Sequence, residues 1–244
     1  MKLEYWYDDM IRFMRDASEY GNYNQVLLSK MMPYLEKDPH ICDAGSGLGY
    51  LSLALAPHVR QVTAVEKHPG AAAVLEENCR KKGIPNVISL CADMDSIPPQ
   101  ECYDAMVFCF FGRIPQILRL AKRHCRGRVF VFTRNYTNHR FSAGTHPTGW
   151  EGFPDLQSTL RELNIPAHAE VFEAENGQPL RNMEDARRFF ETYSKDQDKS
   201  VLTEEFLQSK VIPTGREDFP LYLPHKRNLA FVTFLAEDIP DSIG

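Results

Sequence analysis

The sequence predicts an α/β protein built on an open, mainly parallel sheet with helices on both faces, a doubly wound fold. Between residues 40 and 133, five short apolar runs alternate with segments rich in helix formers, the pattern typical of that class. The first run ends in the glycine cluster Gly45, Gly47 and Gly49, as a strand does before a tight turn. With 244 residues, of which 43% are hydrophobic, the chain can bury one large core.

The chain opens with residues that favour helix. Residues 4–37 read as helical, and Gly21-Asn22 breaks them into two helices. We therefore expect an N-terminal helical cap over residues 1–37, ahead of one domain over 38–244.

The alternating core of the sequence follows. The predicted strands are apolar or β-branched and cover residues 40–44, 61–66, 87–91, 103–110 and 128–133. The predicted helices of this part cover residues 48–56, 71–82 and 114–124. Pro57 stops the first helix, and Gly83 stands where helices commonly end. Each crossover between parallel strands is expected to be right-handed.

The remaining sequence adds two strands, which makes seven in all. A helix is predicted at 155–163, a strand at 169–174 and a last strand at 228–236. Between those strands, helices are predicted at 182–193 and 203–209. We expect residues 177–227 to form an α-rich insertion before the last strand, acting as a lid or an interface.

Composition limits the classes of partner. The formal net charge is −5, which disfavours electrostatic binding of nucleic acid or anionic membranes. No apolar stretch approaches the roughly 20 residues of a membrane-spanning helix. The acidic, aromatic start differs from a signal peptide. These observations predict a cytoplasmic protein. We expect a monomer or a homodimer, and the sequence leaves that choice open.

Six cysteines lack the C-x-x-C spacing of a local zinc site. They are Cys42, Cys79, Cys91, Cys102, Cys109 and Cys125. Because Cys42, Cys91 and Cys109 lie in or beside apolar runs, we expect reduced core thiols and no metal. A soft-metal or arsenic site assembled from distant cysteines is the alternative.

The glycine loop after the first strand indicates a nucleotide-like ligand at a strand-to-helix corner. A dinucleotide loop has the spacing G-x-G-x-x-G, and here Tyr50 occupies the place of its third glycine. Asp43 puts a carboxylate at the strand end. That charge would repel a pyrophosphate and attract a ligand that carries an ammonium and a sulfonium.

The run Asp43-Ala44-Gly45-Ser46-Gly47-Leu48-Gly49 resembles the first motif of the class I S-adenosylmethionine-dependent methyltransferases. The resemblance extends motif by motif over residues 38 to about 135, and the last strand matches as a pattern. It implies S-adenosyl-L-methionine as cofactor, S-adenosyl-L-homocysteine as product, and a last strand that inserts antiparallel between the fifth and sixth.

The resemblance also implies roles for single residues at the strand ends. Glu66 resembles the acid that binds both ribose hydroxyls, with Lys67 beside it. Asp93 resembles the acid that accepts from the adenine amine, with Met94 packing on the ring. Phe110, which ends the fourth strand, is expected near the methyl-bearing end. The predicted cofactor-binding set is Asp43, Gly45, Ser46, Gly47, Gly49, Glu66, Lys67, Asp93, Met94 and Phe110.

The expected reaction is an in-line displacement at the methyl carbon, with catalysis mainly by positioning. The fourth strand ends in Phe108-Cys109-Phe110-Phe111-Gly112. It lacks the Asn/Asp-Pro-Pro-Tyr/Phe motif of the amino methyltransferases that act on adenine or glutamine. This departure lowers the case for those substrates.

Three segments are candidates for the acceptor pocket: the N-terminal helices, the long loop from Arg134 to Trp150, and the insertion. The residues singled out as substrate-binding are Tyr20, Tyr23, Arg134 and Tyr136, with Trp6 and Tyr7 as further candidates. For a general base we look first to His139, then to His146 and His225.

The leading interpretation is a methyltransferase for a small-molecule acceptor, because long loops favour a closed pocket. The alternatives are a protein or RNA methyltransferase, a cofactor-binding protein without methyl transfer, and an NAD-linked oxidoreductase. Tyr50 and Asp43 speak against the last of these.

Overall fold

The computed structural model describes residues 8–99 and 103–243. The predictions for Trp6, Tyr7 and Cys102 therefore lie outside the described residues. The described strands are β1 (His40–Ala44), β2 (Gln61–Val65), β3 (Val87–Leu90), β4 (Tyr103–Cys109), β5 (Cys125–Arg134), β6 (Ala167–Glu175), β7 (Gln178–Leu180), β8 (Ile212–Pro213), β9 (Leu221–Leu223) and β10 (Lys226–Leu235).

The described helices flank these strands. They are α1 (Asp8–Tyr20), α2 (Tyr23–Met31), α3 (Tyr50–Leu55), α4 (Pro69–Lys82), α5 (Ile114–His124), α6 (Phe153–Glu162), α7 (Met183–Tyr193) and α8 (Glu204–Lys210). Across residues 8–99 and 103–243, no helix combines the length and the hydrophobicity needed to cross a bilayer.

The described residues form a seven-stranded sheet with the order β3-β2-β1-β4-β5-β10-β6. The pairs β1–β2, β2–β3, β1–β4 and β4–β5 are parallel. β10 runs antiparallel to β5, from Leu229 opposite Arg134 to Leu235 opposite Arg128. The predicted α/β fold class, with its antiparallel last strand, is confirmed.

Local signals in the sequence explain where several helices begin and end. Pro69 opens α4, and Gly83 closes it with φ 63°, a conformation that glycine adopts without a Cβ clash. Asn182 caps α7 by accepting a hydrogen bond from the Asp185 amide at 2.8 Å. Thr203 caps α8 in the same way through the Phe206 amide at 3.1 Å.

The insertion contains more than helices. β7, β9 and β8 form a second, three-stranded antiparallel sheet in that order, which the sequence analysis missed. These strands are two or three residues long, and Pro179 and Pro213 stand inside them. Such short runs with prolines give no strand pattern, because proline is rare within sheets.

The main core lies on the sheet that β1, β4, β5 and β10 dominate. Phe108, Phe130, Phe132 and Phe231 are fully buried there. Cys42 and Cys125 are buried as well, but Cys91 is exposed, so its assignment to the core was wrong. β3 is an edge strand and ends at Leu90, which leaves the next residue outside the sheet.

By its internal contacts the described chain divides into two compact units. The first, called unit 1, comprises residues 8–23, Tyr136–Trp150 and Glu173–Arg227. It has its own core of Phe13, Leu180, Ala186, Phe189, Phe190, Leu202, Leu207 and Leu223. The second, unit 2, comprises Asn24–Asn135, Glu151–Phe172 and residues 228–243, and it holds most of the large sheet. The cap at 1–37 and the lid at 177–227 stay predictions.

His124 makes stability depend on pH. Its ring is fully buried, and neither ring nitrogen has a hydrogen-bond partner in the described structure. Burial, with the Arg123 charge, holds the pKa of this histidine below 6.5. The unfolded chain therefore binds the proton first, and stability is lost as the pH falls below about 6.5.

We expect this residue to contribute a slope of up to about 1.4 kcal/mol per pH unit in that range. A His124→Leu variant should have a shallower dependence of the free energy of unfolding on pH between 7.5 and 5, measured by urea denaturation. His58→Leu, at an exposed histidine, is the control and should keep the wild-type slope. Equal slopes in wild type and His124→Leu would contradict the assignment.

Candidate cofactor and acceptor site

The loop after β1 lies at the carboxyl edge of the sheet in unit 2. Both the Gly45 and the Ser46 amides donate to the carbonyl of Val65, at 2.8 and 3.0 Å. The loop is therefore tied to the end of β2. Gly49 then stands at the start of α3 with φ 77°. This is the strand-to-helix corner that the glycine spacing predicted.

Two glycines in this loop are required by close approach. Gly45 has φ 72°, and a Cβ there would lie 2.5 Å from the Phe111 ring. A Cβ at Gly49 would collide with the side chain of Leu75 from α4. Either substitution would also meet a left-handed backbone conformation that costs about 1–2 kcal/mol for a residue with a side chain.

Asp43 is a carboxylate buried beneath the loop, with 1% of its surface exposed. Ser52 Oγ, from α3, donates to its Oδ2 at 2.5 Å. Burial raises the pKa of Asp43 to about 6; the Ser52 hydrogen bond opposes this and the nearby charge of Glu66 adds to it. A buried negative charge of this kind gains from a cation placed beside it.

Glu66, directly after β2, joins two turns of the chain. Its Oε2 accepts from the Gly47 amide at 3.0 Å, and its Oε1 accepts from the His68 amide at 2.8 Å. The side chain is nearly buried, with 8% exposure. Each carboxylate oxygen has a second lone pair, so the group can also accept from two adjacent hydroxyls.

The residues after β3 divide into an exposed and a buried member. Asp93 is exposed, and its Oδ1 accepts from the Asp95 amide at 3.0 Å. Met94 is 2% exposed and packs in the core with Val65 and Ile97. Asp93 therefore keeps its second carboxylate oxygen for another donor, while the Met94 side chain fills the core. Lys67, which follows Glu66 after β2, is exposed.

Two polar atoms near the loop are buried and have no hydrogen-bond partner among the described residues. They are Ser46 Oγ in the glycine loop and His68 Nδ1 in the turn after β2. Unpaired buried polar groups are rare and costly. Their position beside Glu66 fits a polar ligand that supplies the missing partners, as S-adenosylmethionine would.

The loop after β4 has a strained backbone. Phe110 has φ 54°, a left-handed conformation that is unusual for a bulky side chain. Its amide donates to the Phe132 carbonyl at 3.0 Å, so the strain is held by β5. The following ring, Phe111, contacts Phe108, with centroids 5.5 Å apart, besides lying against Gly45. Phe110 therefore stands at the predicted edge, and Phe111 joins this loop to the glycine loop.

A further acid lies at the same edge. Glu151 Oε2 accepts from the Ile114 amide, the first of α5, at 2.9 Å. Gly152 next to it passes close to the end of β5, since an added Cβ would lie 3.1 Å from the Arg134 carbonyl oxygen. Glu151 and Arg134 thus lie near the carboxyl ends of β4 and β5. No motif or spacing in the sequence had indicated Glu151 as a candidate.

Unit 1 contains the other three predicted substrate residues, each in contact with an arginine. Arg140 lies over the Tyr136 ring at 4.4 Å from its centroid. Arg227 lies over Tyr23 at 5.5 Å and donates to its hydroxyl at 3.3 Å. Arg216 lies over Tyr20 at 4.9 Å. These cation–aromatic contacts orient the rings.

Hydrogen bonds and stacking connect part of this set. Arg140 is hydrogen-bonded to His225 Nε2, and the His225 amide donates to Glu175 Oε1 at 2.7 Å. The Tyr222 hydroxyl donates to the same oxygen at 2.7 Å, and Tyr222 stacks on Tyr20 at 5.2 Å. A continuous polar and aromatic network therefore links Tyr136 to Tyr20 within unit 1.

The histidines of unit 1 differ in their surroundings. Burial, together with the positive charges of Lys195 and Arg140, lowers the pKa of His139 to about 4. The pKa of His225 is lowered to about 3 by burial and by the charges of two arginines. His146 Nε2 is instead 2.7 Å from the buried carboxylate of Asp196. A pKa near 4 makes His139 a weak base at neutral pH, and its catalytic role stays a prediction.

Comparisons with known proteins agree with this architecture. Residues 41–127 match a family described as a methyltransferase domain. No curated protein matches the chain. Similar solved structures share little sequence with the chain, and their similarity therefore shows the fold alone.

Three solved structures illustrate the similarity. The YcgJ protein from Bacillus subtilis is 12% identical, with a TM-score of 0.58, over 88% of this chain and 98% of its own. A protein of Bacillus halodurans described as a candidate methyltransferase is 14% identical with a TM-score of 0.56, over 86% of this chain and 98% of its own. Coclaurine N-methyltransferase, solved with N-methylheliamine and S-adenosylhomocysteine, is 15% identical with a TM-score of 0.54, over 86% and 71%.

The buried Asp43 carboxylate should destabilise the folded protein at neutral pH. Its folded pKa of about 6 lies above the ordinary aspartate pKa of 3.8, so stability falls as the pH rises from about 4 to 6 and stays low above that. An Asp43→Asn variant should gain about 2 kcal/mol in the free energy of unfolding at pH 7.5 and nothing at pH 4. Denaturant unfolding at both pH values measures this.

Asp104→Asn is the matched control with the opposite sign. Although burial opposes it, hydrogen bonds from the His40 amide and Arg126 hold the pKa of Asp104 below its usual value. This variant should therefore lose stability at pH 7.5, and the loss should shrink in acid. An Asp43→Asn variant that is no more stable than wild type at pH 7.5 would refute the argument.

Proposed function

We propose that the chain is a class I S-adenosylmethionine-dependent methyltransferase, as the match of residues 41–127 to a methyltransferase domain supports, and that it transfers a methyl group to a small-molecule acceptor. The observation that carries the proposal is the set of polar groups at the carboxyl edge of unit 2. A glycine loop, a carboxylate after each of β2 and β3, and unpaired polar atoms lie together there. Ligands of open α/β sheets bind at this edge.

Individual residues would hold the cofactor as follows. Glu66 would accept from the ribose hydroxyls, and Asp93 would accept from the adenine amine through the oxygen that Asp95 leaves available. The carboxylate of Asp43 would favour a cationic ligand above the glycine loop. Ser46 and His68 would pair their buried polar atoms with the same ligand.

The bound cofactor supplies an electrophilic methyl group on a sulfonium. The chain then has to hold the acceptor in line with that methyl, at about 3 Å, and exclude competing water. Phe110 and Phe111 would form an apolar wall at the end of β4. Tyr20, Tyr23, Arg134 and Tyr136 stay the proposed acceptor-binding residues, and residues 177–227 the proposed lid.

Two features favour a small acceptor over protein or RNA. The net charge of −5 is unfavourable for a polyanion, whose binding relies on released counterions and many basic contacts. In addition, arginines of unit 1 already contact the rings of Tyr20, Tyr23 and Tyr136. Rings held in this way suit an acceptor that inserts between side chains better than one that lies on an open basic groove.

Cofactor binding tests the first part of the proposal. In a calorimetric titration we expect the purified chain to bind S-adenosylhomocysteine and to show no binding of NAD. Glu66→Gln should weaken S-adenosylhomocysteine about 10-fold or more, because a charged hydrogen bond of 1.5–3 kcal/mol is lost. The control is Glu76→Gln on an exposed part of α4, which should bind like wild type.

Two outcomes would count against the cofactor assignment. One is wild-type protein that binds NAD in place of S-adenosylhomocysteine, which would favour an oxidoreductase. The other is Glu66→Gln with unchanged affinity, which would remove Glu66 from the site.

Acceptor class is tested with methyl-labelled S-adenosylmethionine in cell extract. The extract is separated after reaction into small molecules, protein and RNA. We expect label in the small-molecule fraction. Label confined to protein or RNA would overturn the small-molecule proposal, and binding without any labelled product would favour a cofactor-binding protein.

A further inference from the structure

Glu151 is an acid at the carboxyl edge for which the cofactor has no evident use. The acids proposed for the cofactor lie at the carboxyl ends of β1, β2 and β3. Glu151 instead lies beyond β4, where its Oε2 accepts from the Ile114 amide. In the sheet order β3-β2-β1-β4-β5, it is on the opposite side of the glycine loop from Glu66 and Asp93.

The placement of Glu151 is fixed on two sides. The Ile114 amide holds one oxygen at 2.9 Å, and α5 follows at once. On the other side, Gly152 packs against the carbonyl of Arg134 at the end of β5, and the Gly152 amide donates to Asp155 Oδ2 at 2.7 Å to start α6. The carboxylate thus lies at the N-terminus of α5, whose dipole favours a negative charge, while the Glu151 backbone leads into α6.

One oxygen of this half-buried carboxylate is available. Among the residues that the structure describes, none donates a hydrogen bond to Glu151 Oε1. The strained Phe110 lies four residues before Ile114 in the same β4–α5 connection. Backbone strain that the surroundings hold in place is often found where a protein needs a side chain in a fixed position.

From these contacts we propose that Glu151 is the acceptor-side carboxylate, and that the acceptor presents an N–H or O–H group to its Oε1. This rests on the proposed methyl transfer. The acceptor atom forms a bond to the methyl carbon, the carbon–sulfur bond breaks and leaves a neutral thioether, and the acceptor proton passes to Glu151.

Glu151→Gln separates this role from helix capping. A glutamine oxygen still accepts from the Ile114 amide but does not take the proton. We expect methyl transfer to the small-molecule fraction to fall about 100-fold or more. S-Adenosylhomocysteine affinity and the free energy of unfolding should stay close to wild type. Glu162→Gln, an exposed acid on α6, is the control and should label like wild type.

Three measurements on Glu151→Gln are judged together: labelling, S-adenosylhomocysteine affinity and the free energy of unfolding. A stable Glu151→Gln protein that labels at the wild-type rate overturns the proposal. So does a variant that loses stability and S-adenosylhomocysteine binding together with labelling, because capping α5 would then account for the whole effect of Glu151. A wild type that binds the cofactor but labels nothing refutes the proposed function itself.

Discussion

Negative charge buried at the ends of the first two strands is the constraint on which the glycine loop depends. Burial raises the pKa of Asp43, and the nearby Glu66 charge adds to that rise. Backbone amides and one hydroxyl stabilise this charge. The Gly47 and His68 amides donate to Glu66, and the Ser52 hydroxyl donates to Asp43. These bonds set the path of the loop, and left-handed glycines follow from that path. A cation at this corner would relieve the same charge.

Much of the large sheet could be predicted because its signals are local. The strands before residue 134 are short apolar or β-branched runs, and the caps of α7 and α8 lie at Asn182 and Thr203. Cofactor candidates followed from these positions, because the ends of parallel strands meet at one edge. Cys91 shows the limit: an apolar run predicts a strand, yet whether its last residue is covered depends on the strand's place in the sheet.

What could not be predicted depends on contacts between distant parts of the chain. Glu151 caps α5 from 37 positions away, and Phe111 lies against Gly45 although a core phenylalanine has the same local pattern. Unit 1 draws on three separate segments, and its strands β7, β8 and β9 are too short to show a period. Such features need the three-dimensional arrangement, since no spacing rule relates their members.

The place of β10 has a consequence for the order in which the protein is made. β10 lies between β5 and β6, so a nascent chain that has reached residue 175 holds six strands of the sheet but not the one that joins β6 to the rest. Until residue 235 is synthesised, β5 presents an open edge and β6 has no neighbour, a state that invites wrong pairing or aggregation. Slow translation through residues 176–225 would lengthen that exposure, so chaperone demand should rise when codons there are rare.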